Sequence, residues 1–230
     1  MKRKALKAAF SSTIPVFAGF LFLGASYGFL MNSKGFGTGW VLLISATVFA
    51  GSLQFAALEL LVSTFNPLYA LVLALIINAR HLFYGFSMLK EYRGIKKIKP
   101  FLIFGLVDET FSIIASKDPG EEIDKPWYYF FVTLLNYIYW VGSCVIGSLL
   151  GSIWGAELEG VEFVLTALFI VLLLNQLTEQ KKYSSALTGF ICTVICLGLF
   201  GRDMFLLPAM LLIVSSLLLF KRPIERKWQQ

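Results

Sequence analysis

Residues 39–63 read GWVLLISATVFAGSLQFAALELLVS, a run long enough to cross a hydrocarbon core of about 30 Å as a helix. Its middle, Phe49-Ala50-Gly51-Ser52-Leu53-Gln54-Phe55, sets a flexible Gly-Ser pair and an amide inside otherwise apolar sequence. The expectation is two half-helices that enter the membrane and return. A continuous helix with a Gly-Ser packing notch is the plainer alternative. A half-helix starting near Gly51-Ser52 would present unpaired backbone amides and a positive dipole end at mid-membrane, which suits the carboxylate of a zwitterion. Ser52, Ala56, Glu59 and Ser63 would share one narrow face of it, giving Glu59 access to a substrate ammonium or a proton.

Outward from this stretch the chain keeps the same character. Of its 230 residues 57% are hydrophobic and 15% charged, against roughly a quarter charged in a soluble domain. Further apolar segments span 14–31, 67–89, 100–116, 127–151, 161–178, 184–200 and 203–220. The expected class is all-α: a polytopic membrane protein of seven to eight helical segments, at least one broken or re-entrant, forming a single transmembrane domain over residues 1–230. Asn66-Pro67, Pro100 and Pro126 stand where helices can start, and Gly201 punctuates the last pair. Trp40, Trp127, Tyr128, Tyr129, Trp154 and Trp228 fall near segment ends, as interfacial aromatics do. The net charge of +6 comes from basic residues at segment ends, which excludes an extended nucleic-acid surface.

The N-terminus imitates a signal peptide, but Gly24-Ala25-Ser26 is a poor cleavage site, so the first segment is read as a retained helix. Basic clusters at residues 2–7, 90–99, 181–182 and 221–227 should all be cytoplasmic, and the acidic stretch 155–162 external. Three full crossings before residue 90 would put two basic clusters on opposite sides. The broken segment 39–63 is therefore the one expected not to cross, and by the same count one of 100–116 and 127–151 is expected to be irregular, with 100–116 favoured because it is short and contains Asp108-Glu109.

Charged groups at bilayer depth cost at least about 2.5–3.5 kcal/mol each on insertion scales, so they turn inward and find partners. Glu59, Arg80, His81, Asp108 and Glu109 are such groups, and Gln54 and Asn78 join them as buried amides. On a helix over 67–89, Asn78, His81 and Tyr84 or Gly85 share a face, with Arg80 about 100° away from His81. Arg80 is expected to pair with Asp108 or Glu109, either as a structural bridge or, with His81, as a proton relay. Gly51, Ser52, Gln54, Glu59 and Asn78 are the candidate substrate-binding residues.

Other patterns carry less. Gly35-Phe36-Gly37-Thr38-Gly39 lacks a βαβ context and reads as a surface turn. Ser143, Gly147, Gly151 and Gly155 form a small-residue stripe for close helix contact, inside the protein or with a partner subunit. Cys144, Cys192 and Cys196 lie in apolar segments and read as packing residues. A single histidine cannot build a HExxH metal site, and no Gly-x-Ser-x-Gly elbow occurs, so neither an enzyme, a metal nor a cofactor is expected.

Three motifs in order, Phe49-Ala50-Gly51-Ser52-Leu53-Gln54-Phe55, Asn78-Ala79-Arg80-His81-Leu82-Phe83-Tyr84 and Leu106-Val107-Asp108-Glu109-Thr110-Phe111, together with Tyr27-Gly28, resemble the AzlC-like branched-chain amino acid permeases. That family is the larger subunit of a two-component exporter with a small AzlD-like partner. The likeness is dense in the first half; Leu53 stands where a small residue is expected, and Phe22-Leu23-Gly24 lacks a proline common there. The resemblance implies efflux of leucine, isoleucine, valine or related compounds across a bacterial cytoplasmic membrane, driven by proton exchange. A channel-like conduit and a non-transporting scaffold are the other classes left open.

Overall fold

The computed structural model describes residues 2–64, 66–116, 119–120, 122–154, 170 and 183–219. These residues form nine α-helices and no strand, in two compact units, residues 1–164 and 165–230. In the first unit α1 (Lys2–Ser33), α4 (Pro67–Met88) and α7 (Lys125–Trp154) are long and apolar enough to cross a membrane. Between them lie shorter helices, α2 (Thr38–Val48), α3 (Gly51–Val62), α5 (Lys99–Phe104) and α6 (Asp108–Ser116). The expected start signals operate. Asn66 caps α4 by accepting from the Tyr69 amide at 3.1 Å, with Pro67 in the first turn. Pro100 and Pro126 occupy the first turns of α5 and α7, where a missing N–H costs nothing.

Helices α1 and α7 run parallel and form the axis of the unit. Contacts advance along both together: Lys2 Nζ lies 4.1 Å from the Trp127 ring, Thr13 meets Tyr139 at 3.5 Å, and the Phe20 and Trp140 rings are 5.2 Å apart. Beyond them Gly24 faces Ser143, Gly28 faces Cys144, and Gly151 faces Asn32. A methyl added at Gly28 would strike the Cys144 carbonyl, and one at Gly147 the Ala25 backbone. The small-residue stripe therefore works inside the protein, letting two backbones approach as in close membrane-helix pairs. The Gly24-Ala25-Ser26 stretch sits within this seam of an unbroken α1.

Against this axis the two irregular segments can be followed. Helix α2 runs opposite to α7, from Thr38, whose hydroxyl meets Ser148 at 3.0 Å, to Ala46, whose carbonyl accepts from Tyr137 at 3.0 Å. The helix then breaks: Phe49 takes a left-handed conformation, φ 40°, and Ala50 is non-helical. Helix α3 starts at Gly51 against Trp140, and Phe55 packs on Tyr27 at 5.4 Å, beside Gly28, so α3 heads back the way α2 came. The segment is thus two half-helices and not one continuous helix, and Gly51, the start of the second, also admits the Trp140 indole.

The second segment mirrors the first from the opposite end. Helix α5 rises with α7, its Phe101 against Phe130 at 5.6 Å and its Phe104 against Tyr137 at 6.0 Å. Gly105, Leu106 and Val107 interrupt it, and α6 returns, with Thr110 bonded to Asn136 and Ile113 and Ile114 packed beside Tyr128 and Val132. Residues 39–63 and 100–116 are therefore two re-entrant hairpins entering from opposite ends. Their tips meet near Tyr137, about halfway along α7, where the Phe49 and Phe104 rings stack at 6.0 Å.

Helix α4 joins the two ends, running opposite to α3 from Pro67 to Met88 and reaching Tyr92, whose ring lies 6.0 Å from that of Tyr129. Ala5, Ala9, Met88, Tyr92, Leu102, Tyr128 and Tyr129 share one buried cluster. Lys4 pairs with Glu122 at 2.8 Å, and Tyr129 donates to Glu91 at 2.9 Å. The basic residues of 2–7 and 90–99 thus share one end, as the orientation argument requires.

The second unit contains α8 (Tyr183–Met204) and α9 (Leu206–Leu219), packed as a pair, with Gly201 at φ 71° marking the kink before the turn. Cys192 lies 3.8 Å from Ser216. All three cysteines are buried and unbridged. Segment 161–178 apart from residue 170, the basic residues at 181–182 and 221–227, the acidic stretch 155–162, Gly155 and Trp228 lie outside the described residues.

Candidate functional site

Each hairpin tip ends in the first turn of a half-helix, and those first turns carry the polar groups. Ser52 is the second residue of α3; Asp108 is the first of α6. Arg80, midway along α4, reaches both: one terminal guanidinium nitrogen donates to Ser52 Oγ at 3.0 Å and the other to Asp108 Oδ2. A single cation thus ties together three discontinuous elements, and its carboxylate partner is Asp108. The Arg80 and Asp108 side chains are 35% and 34% exposed, so the pair remains reachable.

Beside this bridge lies a cavity of about 520 Å³. Its walls are Val48, Phe49 and Ala50 of the first tip, Leu106 and Val107 of the second, and the face of α4 that carries Asn78, His81 and Gly85. The shared face of α4 expected from helical spacing is therefore the one turned to the cavity. Most of the wall is apolar, with Asn78 and His81 as its polar part and Lys99 at the end near the basic loop. Tyr92 lines that end; burial pushes its hydroxyl pKa up, which keeps it neutral. The His81 ring nitrogen Nδ1 lies 3.2 Å from the Asn78 carbonyl, and the ring stands edge-on to Tyr84, which stacks on Phe111 of α6 at 4.5 Å.

The expected site residues separate into groups. Ser52, Arg80 and Asp108 meet; Asn78 and His81 line the adjoining cavity; Gly51 starts the half-helix and packs on Trp140. Glu109 is half-buried next to Asp108 and makes no ion pair with a described residue. Gln54 is 1% exposed, and its side-chain oxygen accepts from Trp140 Nε1 at 2.8 Å with Tyr27 alongside. It belongs to the packing between the first hairpin and α7, away from the cavity wall. Glu59, two turns beyond Ser52, is exposed on α3 and joins neither group.

Three side chains with a part in the site escaped the sequence reading. Trp140 fixes Gln54, Asn136 donates to Thr110 at 3.1 Å and so holds α6 against α7, and Phe104 stacks on the first tip. One signal was available: an indole in the middle of a membrane segment, far from the interfacial belt, needs an acceptor at that depth.

Among known proteins, residues 15–154 match the family model described as AzlC protein. That match covers both hairpins, α4 and α7, and so the whole of the site. The chain is 49% identical to the branched-chain amino acid transport protein AzlC of Bacillus subtilis, over 96% of this chain and 87% of that one. It is 40% identical to an uncharacterised membrane protein of Haemophilus influenzae, over 90% of this chain and 86% of the other. An uncharacterised membrane protein of Helicobacter pylori is 36% identical over 96% of this chain and 97% of its own length. No solved structure matches.

Proposed function

This chain belongs to the AzlC family, and on that footing we propose that it exports branched-chain or related small amino acids across the bacterial cytoplasmic membrane. It is a membrane transport protein and not an enzyme. The observation that carries the reading is the meeting of two oppositely directed helix breaks at Arg80, beside a cavity with apolar walls and a polar end. Substrate side chains pack against the Phe49 and Val107 walls, and the charged head lies toward Asn78 and the first turn of α3 at Gly51-Ser52.

Arg80 with Asp108 acts as a gate or coupling pair, and His81, Glu109 or Glu59 carries the proton. Gln54 holds the first hairpin in place through Trp140. Residues 1–230 act as one transmembrane domain, with the end bearing residues 2–7 and 90–99 in the cytoplasm and a small AzlD-like subunit as partner.

The test is a flux assay in proteoliposomes over a panel of labelled amino acids, with and without the small subunit and an imposed proton gradient. Leucine, isoleucine and valine should move fastest, and only with the gradient. Flux that ignores the gradient would make the protein a conduit. Absence of flux for all three, with the partner present, would overturn the reading.

A further inference from the structure

The Arg80 bridge leaves two buried polar atoms without a hydrogen-bond partner among the described residues, Arg80 Nε and Asp108 Oδ1, and Asn78 Oδ1, from the adjoining cavity wall, is a third. One is a donor carrying part of a positive charge; two are acceptors, one of them anionic. Spare groups of both signs, on a pair that is still about a third exposed, are the complement of a ligand that carries both charges on groups attached to one carbon.

We infer that the substrate binds by inserting its zwitterion between Arg80 and Asp108. This deepens the transport reading and rests on it. In the resting arrangement the guanidinium meets the carboxylate directly. After insertion Arg80 holds the substrate carboxylate, and the substrate ammonium donates to Asp108 and to Asn78 Oδ1. One ion pair becomes two.

Charge decides which ligands fit. The pair is neutral and so is a zwitterion, so insertion adds no net charge at membrane depth. A 2-oxo acid of the same shape adds an anion and leaves Asp108 without a cation. An amide or amine brings a positive charge and leaves Arg80 short of an anion. The apolar cavity recognises the side chain, while the opened ion pair recognises the α-amino acid. Insertion also lengthens the link between α4 and α6 by the width of the substrate head. Binding therefore displaces the second tip relative to the first.

The experiment measures binding of L-leucine, 4-methyl-2-oxopentanoate and L-leucinamide to the full chain in liposomes. The wild-type protein should reject both analogues by more than about a hundredfold, as sites built around a substrate polar group do. Asp108→Asn should lower leucine affinity and narrow the leucine to oxo-acid ratio at least tenfold, because the oxo acid no longer strands a carboxylate. A wild-type protein that binds the three alike overturns the inference, as does an Asp108→Asn protein with the wild-type ratio. Should that variant fail to fold, the wild-type panel alone decides. A wild-type protein with no leucine binding or flux at all removes the transport reading, and the inference with it.

Discussion

Trp140 carries its indole N–H midway along α7, and Gln54, far away in sequence, supplies the acceptor at 2.8 Å. Trp140→Phe should cost about 1–3 kcal/mol, the penalty of a buried oxygen left unpaired, read as a fall in the thermal midpoint of the purified protein. The double variant Gln54→Leu with Trp140→Phe should recover part of that loss, since neither side then keeps a stranded polar group. Additive losses would sink the pairing. Arg80 uses two nitrogens on two partners, and lysine offers one compact ammonium. Arg80→Lys should forfeit one charge-assisted bond, about 1.5 kcal/mol at the lower end of the range because the pair is partly exposed. An unchanged midpoint would mean that the Ser52 bond contributes nothing.

The helices separate into a rigid axis and two shorter hairpins. On the axis, Gly147 touches the Ala25 backbone, so Gly147→Val should cost about 1–3 kcal/mol or more through overpacking. Gly19, on the same pair of helices but in open space, gives the control: Gly19→Ala should gain about 0.5–1 kcal/mol of helix stability. Equal effects at the two positions would contradict the seam. The first break was legible because Gly51-Ser52 sits in an otherwise unbroken apolar run. The second left a fainter trace, a short segment containing Asp108-Glu109, and the count of basic loops narrowed it only to 100–116 or 127–151. That Arg80 pairs with Asp108 or Glu109 could be read because buried opposite charges must meet; which of the two adjacent carboxylates it takes is set by the start of α6. The role of Gln54 could not be read, because the mid-segment indole of Trp140 calls for an acceptor without saying which element supplies it.

At the scale of the molecule, the alternation of long helices and opposed hairpins places residues 2–7 and 90–99 together and the turn at Gly35–Gly37 at the other end. Cysteine labelling tests this directly. The three native cysteines are buried, so background should be low. With a membrane-impermeant maleimide, Gly37→Cys should label in intact cells, and Lys96→Cys only after permeabilisation. The reverse pattern would invert the orientation. The two hairpins meet end to end at the stacked rings of Phe49 and Phe104. On the transport reading proposed above, the insulation between the two aqueous compartments would be no thicker there than that pair of side chains. A rearrangement the size of one aromatic ring would then be enough to exchange which solution the cavity communicates with, while the three long helices stay where they are.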